Sequence, residues 1–202
     1  MKLYDAELSG NAYKIRLFLG LIALDYERVP VKMGPEGTRS EAFLARNPRG
    51  QIPLLEDGEV TVFDSQAILV YLARRYAEPG WLPLDAWPLA EVMQWLAVSE
   101  NELLFGLARA RAVDLFGRNW DKAQCAEYGI AGLRVMDARL AAHPWLATER
   151  VTIADVACYP YVAVAHQGGV DLGGFAHVRR WMAHIEALPG YLPMEGIVAQ
   201  AS

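Results

Sequence analysis

The first eighty residues switch between two hydrophobic periods. Residues 2–5 alternate as a short strand does, and from about residue 12 to 24 the apolar side chains Ile15, Phe18, Leu21, Ile22 and Leu24 recur at helical spacing. Val29 and Val31 alternate with polar or imino neighbours over residues 26–31, and a loop rich in Gly, Pro and charge follows at 34–40. Two further extended runs, 52–56 and 60–63, flank Asp57-Gly58, a pair suited to a tight hairpin because glycine tolerates positive φ. The helical period returns through Ala67, Ile68, Tyr71, Leu72 and Tyr76, with Ser65 where an N-cap would satisfy the first amides. The pattern predicts β-α-β, a poorly defined crossover, then β-β-α.

Between residues 78 and 88 the helical signal stops. Pro79, Gly80, Pro83 and Pro88, with Trp81 and Trp87, predict a linker that is neither helical nor very flexible. Beyond it no strand alternation survives, and helical patterns run through 92–116, 122–142, 153–166 and 177–188. The expected organisation is a domain at 1–78, a linker at 79–88 and an all-α domain at 89–202; the fold class is α+β. A length of 202 residues suits two modest domains, and 53% hydrophobic residues against 21% charged ones exclude intrinsic disorder. The net charge of -5 supplies no field to attract phosphates or anionic lipid, so neither a nucleic-acid nor a membrane partner is expected. Asp5 and Glu7 interrupt the apolar core a signal peptide needs, and the longest uncharged apolar run, 156–165, is too short to span a bilayer. A cytoplasmic location is expected. Cys125 and Cys158 lie 33 positions apart inside helical segments and read as core side chains, not a disulfide or paired-thiol motif.

Three short motifs could carry chemistry. Pro53 heads a predicted strand, and proline there belongs at an edge, a bulge or a cis bond; if the bond is cis, the backbone of Ile52 is free to pair with an extended peptide. The dipeptide alone fits a strand-initiating proline as well. At Asp64-Ser65, helix-terminal amides, the dipole and a hydroxyl favour a carboxylate while Asp64 can take an ammonium, a combination that suits an α-amino-acid head group. An ordinary Ser cap is the simpler account of the isolated pair. Leu8-Ser9-Gly10-Asn11 follows the first strand; it has no cysteine for dithiol exchange, but Ser9 and Asn11 can hydrogen-bond near a helix N-terminus. Elsewhere, Thr152 to Asp155 read as a capping box with Asp in place of Glu, a folding signal. His143, His166, His177 and His184 show no metal-ligand spacing, and no GxSxG, GxxxxGK[ST] or GxGxxG motif occurs.

Taken together, SGNAYKIRL at 9–17, NPRGQIPLL at 47–55, DSQAILVYLA at 64–73 and TIADV at 152–156 in a helical second half resemble the cytosolic glutathione S-transferase family over essentially the whole chain, in order and spacing. The likeness is to bacterial, Ser-type members. It implies a thioredoxin-like βαβ-ββα domain that binds glutathione, followed by a helical-bundle domain with the electrophile pocket. The resemblance implies that Ile52, beside Gln51, pairs its backbone with the cysteinyl unit ahead of a cis Pro53. Asp64 and Ser65 would hold the γ-glutamyl ammonium and carboxylate. Thr38 stands where relatives contact the glycyl carboxylate, often through His or Gln, with Lys32 or Arg39 as alternative sources of charge. Ser9 falls at the position Ser-type members use to stabilise the thiolate; Asn11 competes for the role, and Tyr4 lies too early. Leu8 and one face of the helix at 89–117, carrying Asn101, Phe105, Ala108 and Ala112, would line the electrophile pocket. Arg109 and Arg111 on that helix either favour acidic substrates or the glutathione carboxylates, or are simply solvated. Conjugation of the glutathione thiolate to a small, partly apolar electrophile is the implied reaction, with glutathione as co-substrate, no metal, and a C2 homodimer. Isomerisation or peroxide reduction would use the same thiol, and a non-catalytic interaction module of this fold is the competing class.

Overall fold

The computed structural model describes residues 1–194. They form two units: Met1–Glu78 together with the described residues from Pro189 onward, and Pro79–Leu188. In the first unit β1 (Lys2–Asp5), α1 (Gly10–Leu21) and β2 (Glu27–Pro30) make a β-α-β unit whose strands pair in parallel. A short α2 (Glu41–Leu44) leads to β3 (Leu54–Asp57), antiparallel to β1; β4 (Val60–Phe63) completes the hairpin and α3 (Ser65–Tyr76) follows. The sheet order is β2-β1-β3-β4. Leu3, Leu54 and Leu55 are fully buried, as are Ile15 and Phe18 of α1 and Ile68 and Leu72 of α3. Each such side chain contributes about 1.5–3 kcal/mol through burial, which fixes the strand register and the inward helix faces together.

A charge also sits in this core. Asp5 has no exposed surface and pairs with Arg16 of α1 at 2.5 Å and Arg28 of β2 at 2.6 Å. The residue that argued against a signal peptide thus ties three elements together, and burying a carboxylate without such partners is costly.

Two local features differ from the sequence expectation. The crossover contains α2, capped by Ser40, whose hydroxyl accepts from the Phe43 amide at 3.3 Å; four residues are too few to display a period. The N-cap of α3 is Asp64 rather than Ser65: Asp64 adopts φ 78° and its Oδ1 accepts the Gln66 N–H at 3.0 Å. Asp and Ser are comparable caps, so composition cannot choose between neighbours.

In the second unit one helical rod runs from α4 (Ala86–Val98) through a π-helical stretch (Ser99–Ala108) into α5 (Arg109–Phe116). It starts inside the segment read as linker, because Pro88 occupies the first turn, where a missing N–H has no intrahelical partner to lose. α6 (Lys122–Leu140) lies against the π-helical stretch at contact distance. A Cβ on Gly106 would come 2.3 Å from the Gly129 Cα, so only glycine permits this approach. α7 (Ile153–Ala163) opens with the expected capping box, and fully buried Asp155 accepts from the amides of Thr152 and Leu146 and from Trp181 Nε1 at 2.9, 3.0 and 2.9 Å. Burial pushes its carboxyl up, against those donors. α8 (Ala176–Glu186) has no cap of its own; Asp137 of α6 accepts the N–H groups of His177 and Val178 at 3.0 and 3.1 Å.

The expected reach of the second domain to residue 202 runs beyond the described residues. Residues 189–194 return to α1, where the Tyr13 hydroxyl donates to the Leu192 carbonyl at 2.6 Å and Gly20 faces Gly190. No helix among the described residues is long and apolar enough to cross a membrane.

Candidate functional site

Strand register gathers the motifs of the first unit. Tyr4 of β1 pairs with Leu54 of β3, and Leu54 pairs with Phe63 of β4. The loop leaving β1, the segment entering β3 and the start of α3 therefore meet at one end of the sheet, bringing Ser9 and Asn11, Gln51 to Pro53, and Asp64 with Ser65 to the same place.

Ser9 caps α1, its Oγ accepting the Ala12 N–H at 3.2 Å. Among the described residues that hydroxyl's own proton has no acceptor, so Ser9 is held as an acceptor and left unused as a donor. Neither end of the Asn11 amide finds a described partner, and its Oδ1 is buried. Tyr4 is committed elsewhere: it donates to Glu56 at 2.7 Å, and Arg46 covers its ring at 4.5 Å. Burial, then the bond to Glu56, raise its pKa.

The Ile52-Pro53 bond is cis. β3 begins at Leu54, and neither the N–H nor the C=O of Ile52 is bonded to another described residue. The turn that presents Ile52 is built by Asn47, which the sequence reading left without a role. Its Nδ2 donates to the Gln51 carbonyl at 2.6 Å and its Oδ1 accepts the Arg49 amide at 3.0 Å. Gly50 follows at φ 59°, with the Thr38 carbonyl 2.8 Å from where a Cβ would stand. Thr38 itself is buried, and its hydroxyl accepts the Gly34 N–H at 3.1 Å to close the preceding loop. Lys32 pairs with Glu36 at 3.3 Å, whereas exposed Arg39 meets no carboxylate among the described residues.

At α3, Ser65 is buried and neither its amide nor its hydroxyl has a described partner. Asp64 is gripped by Arg49 at 2.6 Å, a pair that fifteen residues of separation hid from any local pattern. The Asp64 carboxylate keeps lone pairs beyond those used by Arg49 and the Gln66 amide. This end of the sheet offers an unpaired extended backbone segment, a free hydroxyl donor at one helix terminus, and an anion-and-donor pair at another.

The sequence model described as "Glutathione S-transferase, N-terminal domain" matches residues 1–74, and that described as "Glutathione S-transferase, C-terminal domain" matches 131–189. Glutathione S-transferase 3 of Zea mays is 32% identical over 95% of this chain and 91% of its own length. The chain belongs to the glutathione S-transferase family. Maleylacetoacetate isomerase of Pseudomonas aeruginosa is also 32% identical, over 89% of this chain and 88% of its own. The crystal structure of a glutathione S-transferase from Pseudomonas fluorescens superposes with a TM-score of 0.90 at 34% identity, covering 96% of this chain and 98% of that one. Relatives of this glutathione S-transferase family member at similar identity carry isomerase and disulfide oxidoreductase names as well as transferase names.

The residues expected to line an electrophile pocket lie in the second unit, apart from exposed Leu8. Asn101 donates to the Ala97 carbonyl at 2.9 Å, Phe105 is exposed, and Ala108 and Ala112 are half-buried. The π-helical winding of 99–108 re-phases this stretch relative to the 3.6-residue period from which one shared face was inferred. Arg111 is buried and donates to Gln167 at 2.6 Å, so it is not a solvated charge. No cluster of His, Cys, Asp and Glu among the described residues is placed to hold a metal.

Proposed function

We propose that this protein is a glutathione transferase that activates glutathione as its thiolate and joins it to a small, partly apolar electrophile. The observation that carries the reading is the Ser9 hydroxyl, fixed through its oxygen by the Ala12 amide at 3.2 Å while its proton stays free at the N-terminus of α1. A donor so placed stabilises a thiolate over a thiol. A hydrogen bond to a charged acceptor contributes about 1.5–3 kcal/mol and lowers a thiol pKa by about one to two units; the helix terminus adds about 0.3–1 kcal/mol. Asn11 is the second donor in reach of that role.

In this reading the cysteinyl backbone pairs with Ile52 beside Gln51 and Pro53, and Asp64 with Ser65 takes the γ-glutamyl ammonium and carboxylate. Thr38 flanks the glycyl end, where Arg39 supplies the charge better than the already paired Lys32. The helix that carries Asn101, Phe105, Ala108 and Ala112 receives the electrophile. The thiolate sulfur bonds to the electrophilic carbon; either a leaving group departs with the pair of the bond that breaks, or the π bond of a conjugated acceptor opens and its carbanion takes a proton from solvent, and the glutathione thiol proton has gone to solvent. The enzyme works in the cytoplasm as a C2 homodimer without a metal. A glutathione-dependent isomerisation is the second reading, favoured by the equal identity to the Pseudomonas aeruginosa isomerase.

The test is calorimetric titration with reduced glutathione against a control peptide lacking the γ-glutamyl head group. Micromolar-to-millimolar binding that disappears with the control supports the site. No heat at several temperatures from folded protein would refute the transferase and favour a partner-binding module of the same fold.

A further inference from the structure

The helical unit carries a cation, Arg109, to which the described residues supply no anion. Arg109 opens α5 directly after the π-helical stretch, and its guanidinium carbon lies 4.1 Å from the Phe105 ring centroid and 4.9 Å from the Trp120 ring centroid. Both rings remain partly open to solvent, at 38% and 42% exposure. No carboxylate or carbonyl among the described residues bonds to Arg109. The neighbouring cations differ: Arg111 is buried against Gln167, and Lys122 pairs with Asp114 at 2.5 Å.

Two aromatic rings within cation–π range attract the guanidinium and restrict its rotamers, which lowers the entropic cost of binding a ligand. The N–H donors lie in the plane of the group and form a fork that matches a carboxylate in two parallel bonds. A flat, conjugated body attached to that carboxylate would extend over the exposed parts of Phe105 and Trp120.

We propose that Arg109, held between Phe105 and Trp120, is a carboxylate receptor, and that the preferred electrophile is a planar conjugated acid. This rests on the transferase reading above and narrows its substrate class.

The test uses a matched pair, 4-chloro-3,5-dinitrobenzoate and its methyl ester. With either, the glutathione sulfur bonds to the chlorine-bearing ring carbon, the C–Cl bond breaks, chloride leaves, and the thiol proton goes to solvent. After correction for the uncatalysed rates, the wild-type protein should favour the acid in kcat/KM by about 10- to 100-fold. Arg109→Gln should bring the ratio close to one, and Arg109→Lys, which keeps the charge without the planar fork, should retain part of it. A wild-type ratio of one or less, or a ratio that survives Arg109→Gln, overturns the proposal and leaves Arg109 as a structural clamp. A second arm needs no turnover: calorimetric titration with 3,5-dinitrobenzoate and its methyl ester in the absence of glutathione. Acid-selective binding lost in Arg109→Gln supports the receptor even if the transferase reading fails, and equal affinities overturn it even if that reading stands.

Discussion

At the scale of single residues, the difference between holding a group and using it separates the candidates. Among the described residues Ser9 is held through its oxygen and idle through its proton, and Asn11 has no partner at either end of its amide. Ser9→Ala should therefore preserve glutathione binding and raise the apparent thiol pKa by about one to two units in the pH–rate profile. An unchanged profile would transfer the role to Asn11 or to backbone amides. Arg49 and Asp64 pose a second choice, since either could meet a γ-glutamyl group. Arg49 is 51% exposed, and exposed ion pairs are worth at most about 1 kcal/mol, so Arg49→Ala should weaken glutathione by no more than about fivefold. Asp64→Asn removes the proposed ammonium partner and should cost more than about tenfold by the same calorimetry. The reverse order would place the glutamyl carboxylate on Arg49.

At the scale of elements, what could be read from the sequence follows how local the signal is. The capping box of α7 was legible because Thr152 and Asp155 sit three positions apart, and the hairpin was legible from Asp57-Gly58. The π-helical stretch was not, since its apolar positions also satisfy an α period, and α2 was too short to have one. The cap of α8 was invisible for another reason: its acceptor, Asp137, lies forty residues upstream. That contact makes a pH-dependent prediction. Burial raises the Asp137 carboxyl, but the His177 ring at 3.0 Å and the amides of Val178 and His177 outweigh it, so the folded pKa lies below the ordinary value. A carboxyl lowered by folding contributes stability that is present above its unfolded pKa, near about 3.9, and is lost as pH falls through the folded value. Asp137→Asn should be less stable than wild type at pH 7, and the gap should narrow as urea unfolding is repeated from about pH 5 down to about pH 3. A gap independent of pH would mean that the charge on the Asp137 carboxylate contributes nothing to the contact.

At the scale of the whole molecule, the candidate residues were easier to pick out than the path of the chain. Ser9, Ile52-Pro53 and Asp64-Ser65 announced themselves by residue type, and the register Tyr4–Leu54–Phe63 gathers them. The supporting contacts, Asn47 to Gln51 and Arg49 to Asp64, are products of folding with no periodic trace. The same holds for the return of residues 189–194 to the first unit: a helical pattern that ends at residue 188 predicts nothing about where the chain goes next. Glycine fixes that return. Gly190 adopts φ 82°, and a Cβ there would lie 2.2 Å from the Gly20 carbonyl oxygen, so an alanine meets both backbone strain and a rigid neighbour. Gly190→Ala should lower unfolding free energy by about 1–3 kcal/mol in urea titrations followed by a probe of the first unit. Gly174 has nothing within 4 Å of a Cβ and no positive φ, so Gly174→Ala is the matched control and should change stability by less than about 0.5 kcal/mol. If Gly190→Ala were as mild as the control, the segment from Pro189 would contribute no stability to the sheet unit.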